Sequence, residues 1–120
     1  MNINLAINEG SKFLSSNFIP NSYLDSEILM AKTINKDRNY ILLNPTKILK
    51  KIELINFSNL IKLRSSGNPI AYLTNKKFFW NSEFIVTQDT LIPRPDTELA
   101  VENILSLTKY KNKINILEIG

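Results

Sequence analysis

Cysteine and histidine are absent from the 120 residues. A disulfide scaffold, a zinc site and any nucleophile chemistry based on Cys or His are therefore excluded within this chain. Long apolar runs are missing too: none approaches the ~18 residues that a membrane helix needs. The start, Met1-Asn2-Ile3-Asn4-Leu5, has neither the basic opening nor the apolar stretch of a signal peptide. These absences lead to the expectation of a soluble, cytoplasmic protein with no metal site. What is present is ordinary for a globular chain, with 43% hydrophobic and 22% charged residues. That balance rules out wholesale disorder and collagen-like or coiled-coil repetition. A chain of ~100–150 residues forms one domain by default and is long enough to bury a real core.

Arginine is the scarce cation. Twelve lysines stand against three arginines, for a net charge of +4 and a sequence pI of about 9.4. A basic protein suits the neutralisation of nucleic-acid phosphates. The plainer account is compositional: Lys, Asn and Ile, whose codons are A/T-rich, are abundant together. The lysines are scattered, with Lys50-Lys51 and Lys76-Lys77 the only adjacent pairs. Scatter of this kind favours a solvated surface.

The first half has helical periodicity. Ile3, Ala6, Ile7, Gly10 and Leu14 fall on one face of a first helix, which Asn17 to Pro20 breaks. Ser22-Tyr23-Leu24-Asp25 has the form of a capping box, and the helix after it carries Leu24, Ile28, Ala31 and Ile34 on one face. Asp25 and Glu27 read as helix-start residues. Arg38 to Asn44 predicts a short third helix ended by Pro45. A longer one from about Ile48 to Ser66 aligns Phe57, Leu60, Ile61 and Arg64, with Arg64 expected to anchor the bundle to the linker. Gly67 suits a left-handed C-terminal cap, and Pro69 prevents the helix from resuming. One more helical turn, Pro69 to Leu73, completes a helical bundle.

The pattern then changes. Lys77-Phe78-Phe79-Trp80 and Glu83-Phe84-Ile85-Val86-Thr87 predict a β-hairpin with Asn81-Ser82 between the strands. Phe78, Phe79 and Trp80 read as hairpin core, with stacking on a ligand or base as the alternative. Leu91-Ile92-Pro93-Arg94-Pro95 must be extended, because each proline restricts its predecessor. Pro95 then suits the first turn of a new helix, where Asp96 and Glu98 complement the dipole. Val101, Ile104, Leu105 and Thr108 are expected to be its buried stripe. Ile114-Asn115-Ile116-Leu117-Glu118-Ile119-Gly120 reads as a strand, apolar enough for the centre of a parallel sheet. Such a strand needs neighbours that nothing before it supplies, so the chain looks cut at the start of a second domain.

Three segments together carry a resemblance: Arg64-Ser65-Ser66-Gly67-Asn68-Pro69-Ile70-Ala71-Tyr72-Leu73-Thr74, then Phe79-Trp80, then Leu91-Ile92-Pro93-Arg94-Pro95-Asp96-Thr97-Glu98. The chain resembles the peptide chain release factor glutamine methyltransferases, the HemK/PrmC family, over nearly its whole length. The Leu-Ile-Pro-Arg-Pro-Asp-Thr-Glu stretch is the specific part. Asn75 departs mildly from the family, which usually has glycine after the threonine. The resemblance implies an α+β chain: an N-terminal helical bundle for substrate docking (1–74), a β-hairpin linker (75–93), then the first helix and strand of a Rossmann-like α/β methyltransferase domain (94–120), incomplete. It implies S-adenosylmethionine as cofactor and, as substrate, the side-chain nitrogen of the glutamine in the Gly-Gly-Gln loop of release factors.

The resemblance also implies cofactor-binding roles for Arg94, Thr97, Glu118 and Gly120. Arg94 would lie beside the methionine end of the cofactor; its local alternative is an ion pair with Asp96 or Glu98. Thr97 is either a cofactor contact or a first-turn hydroxyl that satisfies backbone amides. Glu118 would orient the glycine-rich loop that Gly120 begins, against the alternative of a solvent-facing carboxylate. No catalytic residue is assigned, because the family's Asn-Pro-Pro-Tyr substrate motif is absent from these residues. The fragment alone is therefore expected to be inactive. The expected partner is a release factor, with no membrane and no nucleic acid as direct ligand, and the expected state is a monomer. Three other readings stay open: a non-catalytic helical adaptor that grips a release factor, a small basic nucleic-acid-binding protein, and a nucleic-acid adenine methyltransferase. The helical half and the Leu-Ile-Pro-Arg-Pro segment argue against the last.

Overall fold

In the computed structural model, which describes residues 1–119, the chain divides into two compact units, one spanning Met1–Asn75 and the other beginning at Lys76. The first is all-helical: α1 (Ile3–Ser16), α2 (Ser22–Ile34), α3 (Arg38–Leu43), α4 (Lys51–Ser65) and α5 (Ile70–Thr74). The second holds β1 (Lys76–Phe79), β2 (Ser82–Ile85) and α6 (Pro95–Thr108).

The helical unit is built on the apolar stripe of α1. Ile3, Ala6, Ile7, Gly10 and Leu14 are all buried, as their spacing predicts. They meet Leu29 and Met30 of α2, Ile41 of α3 and Phe57 and Ile61 of α4 in one core. Glycine at position 10 is a packing requirement: a Cβ there would stand 2.7 Å from Ser26 Oγ and 3.0 Å from Phe57 Cζ. The Ser26 hydroxyl in turn donates to the Ile7 carbonyl at 2.9 Å, so this close crossing of α1 and α2 leaves that buried hydroxyl satisfied. The start of α1 is tied down twice. The Asn2 side chain accepts from Leu5 N–H at 2.9 Å, and Asn2 pairs with Ile48 in an isolated antiparallel bridge.

Helix ends follow local chemistry. Asp37 caps α3 by accepting from Tyr40 N–H at 2.7 Å, and Glu53 of α4 reaches back to Lys50 N–H at 2.7 Å. Gly67 has φ +99°, the expected left-handed cap. Its N–H donates to Arg64 O and that of Asn68 to Leu63 O, the paired bonds of a Schellman ending. The expected capping box at Ser22 does not form. Asn21, in the left-handed region, precedes α2, the Ser22 hydroxyl lies 3.3 Å from that of Ser11, and Asp25 is turned inward to another partner. The α2 face also differs, because Leu24 is exposed while Asp25, Ser26, Glu27, Leu29 and Met30 are buried.

In the second unit the hairpin turn sits one residue earlier than expected. The loop is Trp80-Asn81, both at positive φ (48° and 59°), and β1 pairs with β2 through Phe79↔Ser82 and Lys77↔Phe84. Two positive φ values give the turn whose twist matches the strands, and that geometry outranks the β-propensity of tryptophan. Residues 91–94 are without regular structure, Arg94 is extended and Pro95 opens α6, as the prolines dictate. Two expectations fail here. The stripe Val101, Ile104, Leu105 and Thr108 is at most half-buried, and α6 contains no buried residue. Ile114 to Ile119 forms no strand. Strand hydrogen bonds come from neighbouring strands, and the one sheet among the described residues is the β1–β2 hairpin.

Candidate functional site

The second unit contains an open recess of about 590 Å³ lined by Phe79, Phe84, Leu91, Ile92, Pro93, Arg94 and Thr97. Three pieces of local structure make it. The register puts Phe79 and Phe84 on one face of the hairpin, where their rings meet edge-on at 71° with centroids 6.1 Å apart. A tight turn follows β2, in which Thr90 N–H donates to Thr87 O at 3.0 Å and the two threonine hydroxyls lie 3.1 Å apart. The extended arm 91–94 then forms a second wall and ends at α6, where Arg94 is the N-cap.

Arg94 and Thr97 are brought together in this recess, one at the helix start and the other in its first turn. Neither takes its local alternative among the described residues: Arg94 makes no ion pair with Asp96 or Glu98, and the Thr97 hydroxyl caps no backbone amide. Glu98 is engaged elsewhere, accepting from Trp80 N–H at 3.0 Å. Glu118 is exposed and outside the recess, and Gly120 lies outside the described residues.

The chemistry of the recess suits one end of S-adenosylmethionine. An apolar floor with an aromatic pair accepts an alkyl chain and a neighbouring cationic centre, and a guanidinium at the rim matches a carboxylate. No carboxylate is among the residues lining the recess, and the Thr97 hydroxyl is its one side-chain acceptor.

The helical unit has two polar features that the sequence pattern does not announce. Asp25 and Glu27, expected as helix-start residues, are 7% and 3% accessible. Glu27 Oε2 accepts from Arg38 Nε at 2.7 Å, and Asp25 Oδ2 from Arg64 Nε at 2.8 Å. Arg64 also donates from Nη1 to the Asn68 carbonyl at 3.1 Å, which ties α2 to the end of α4 and the segment beyond it. A faint signal exists: Asp25 stands four residues before Leu29 and Glu27 three before Met30, so each acid shares a helix face with a buried apolar residue. No helix among the described residues is long and apolar enough to cross a membrane.

Comparison with known proteins agrees with this division. The PrmC N-terminal domain family matches residues 6–74, most of the helical unit. A release factor glutamine methyltransferase of Buchnera aphidicola subsp. Schizaphis graminum is 41% identical over 120 residues, all of this chain and 42% of its own length. That of Leptospira interrogans is 37% identical over 116 residues, covering 94% of this chain and 40% of the relative. That of Shewanella oneidensis is 37% identical over 99 residues, 82% of this chain and 34% of the relative. The chain thus spans about two fifths or less of the length of these relatives. The chain belongs to the HemK/PrmC family of release factor glutamine methyltransferases, as its N-terminal portion.

Proposed function

We propose that these residues are the N-terminal part of an enzyme that moves a methyl group from S-adenosylmethionine to the side-chain nitrogen of the Gly-Gly-Gln glutamine in a release factor. The observation that carries this reading is the continuous similarity to release factor glutamine methyltransferases across both units. In this reading the helical unit docks the protein substrate, and Arg94 and Thr97 contribute to the methionine end of the cofactor site. Glu118 and Gly120 belong to the start of a glycine-rich cofactor loop in a Rossmann-like domain.

When bound, the cofactor supplies an electrophilic methyl group on a sulfonium. An amide nitrogen is a poor nucleophile because its lone pair is delocalised into the carbonyl, so the reaction depends on orientation. This chain's own contribution is positioning. The Arg94 guanidinium would hold a carboxylate at the rim of the recess, and Phe79, Phe84, Leu91 and Ile92 would keep water from the alkyl chain. Residues 1–120 alone carry no acceptor motif for the substrate amide and are inactive in this reading.

The test is methyl transfer by the full-length protein to a folded release factor with S-adenosylmethionine, read by mass spectrometry of the Gly-Gly-Gln peptide. A single added methyl on the glutamine, dependent on cofactor, is expected. An unmodified glutamine under conditions where the enzyme binds both partners overturns the proposal. In the same assay Arg94→Ala should raise the KM for S-adenosylmethionine ~10-fold or more, since charge-assisted hydrogen bonds are the stronger class.

A further inference from the structure

We propose that Glu98 is a positioning residue for the recess: its carboxylate fixes the hairpin tip and, in the same act, leaves the Arg94 guanidinium available to an anionic ligand group. The proposal rests on the reading of the recess as the methionine end of a cofactor site.

The hairpin tip is an unusual one. Type I′ loops favour Asn-Gly, because both central residues must take positive φ. Here the loop is Trp80-Asn81, with φ 48° and 59° and no glycine. Asparagine tolerates that region; a bulky aromatic residue does so poorly. Strain of this kind persists only where surrounding structure holds it. The N–H of the first loop residue also has no place in the strand ladder. Both difficulties meet at one atom, since Trp80 N–H donates to Glu98 Oε1 at 3.0 Å.

Arg94 is the extended N-cap of α6 and Glu98 lies four residues further on, in the second turn, the local alternative being an ion pair between the two. That pair is not made. The carboxylate is committed to Trp80, so it joins the hairpin that carries Phe79 and Phe84 to the helix start that carries Arg94 and Thr97. These are the two sides of the recess. The bond therefore sets the width of the recess and its charge together. A Glu98–Arg94 pair in its place would neutralise the rim and release the tip.

The chain has one tryptophan, so Trp80 reports on its own loop. Amide exchange at Trp80, its fluorescence, and the cofactor KM and kcat are to be measured in the full-length protein for wild type, Glu98→Gln, Glu98→Ala and Asn81→Gly combined with Glu98→Ala. Circular dichroism controls for folding. With Glu98→Ala, Trp80 amide exchange is expected to accelerate ~10-fold and the cofactor KM to rise by a similar factor, with kcat changed less than ~3-fold. Glu98→Gln, which still offers an oxygen acceptor, should recover most of both effects. Glycine at position 81 relieves the turn, so Glu98→Ala should cost less in that background. Unchanged Trp80 exchange in Glu98→Ala overturns the proposal. So does faster exchange with an unchanged KM, which would confine the bond to the loop. A wild-type protein that binds no S-adenosylmethionine while its Trp80 amide still responds to Glu98→Ala overturns the cofactor reading, and the positioning role with it.

Discussion

The two units use similar apolar residues to different ends. In the helical unit, isoleucine, leucine and phenylalanine at helical spacing close into a core that runs from Ile3 to Ile61. In the unit beginning at Lys76, Val86 is the one buried residue among those described, and Leu99, Leu107, Ile116 and Leu117 all face outward. Charge divides along the same line. Nine basic and five acidic residues lie in 1–75, six of each in 76–120, so the whole excess of +4 belongs to the helical unit. Two of its five acids are buried against Arg38 and Arg64, and Asp37 and Glu53 are committed to backbone amides. Periodicity thus marks the face of an element that seeks cover, while burial depends on a partner being at hand. A helix such as α6 keeps its pattern without a core.

Substitutions should therefore act unequally on the two units. The largest effect is expected from Arg64→Ala, which leaves the Asp25 carboxylate buried and unpaired. Urea unfolding followed by circular dichroism should show a loss of about 3 kcal/mol. Gly10→Ala comes next, because the new methyl group must displace Ser26 or Phe57. Overpacking here should cost about 2 kcal/mol despite the better helix propensity of alanine. Asp37→Ala removes the cap of α3 and should cost about 1 kcal/mol in the same measurement. The smallest effect is expected in the second unit. Leu107, 77% exposed, should accept lysine with a change within about 0.5 kcal/mol. A loss at Leu107 comparable to that at Gly10 would erase the contrast.

The helical unit is largely legible in the sequence because local signals agree there. The α1 stripe, the Arg38-to-Asn44 helix ended by Pro45, and Gly67 with its left-handed turn each need only spacing and one special residue. Asp25 and Glu27 defy local reading because a carboxylate near a helix start usually faces water, and their partners lie 39 and 11 residues away. The hairpin is legible but its turn is not: propensity assigns Trp80 to a strand, while the bond to Glu98 that holds it in the loop is invisible to propensity. For the site, the prolines around Arg94 predict the extended arm and the helix start. The aromatic wall opposite it depends on register, which a one-residue shift reverses. The segment Ile114 to Ile119 shows the limit most plainly, since its residues favour a strand whose hydrogen bonds must come from elsewhere.

Native-state hydrogen exchange on the 120-residue chain is the sharpest probe of the contrast between the units. Amides of α1, α2 and α4 should exchange only through global unfolding, while those of α6 should exchange through local opening, ~100-fold faster or more. Protection in α6 equal to that in α2 would refute this division, because it would require a core beneath α6 that its exposed residues do not provide.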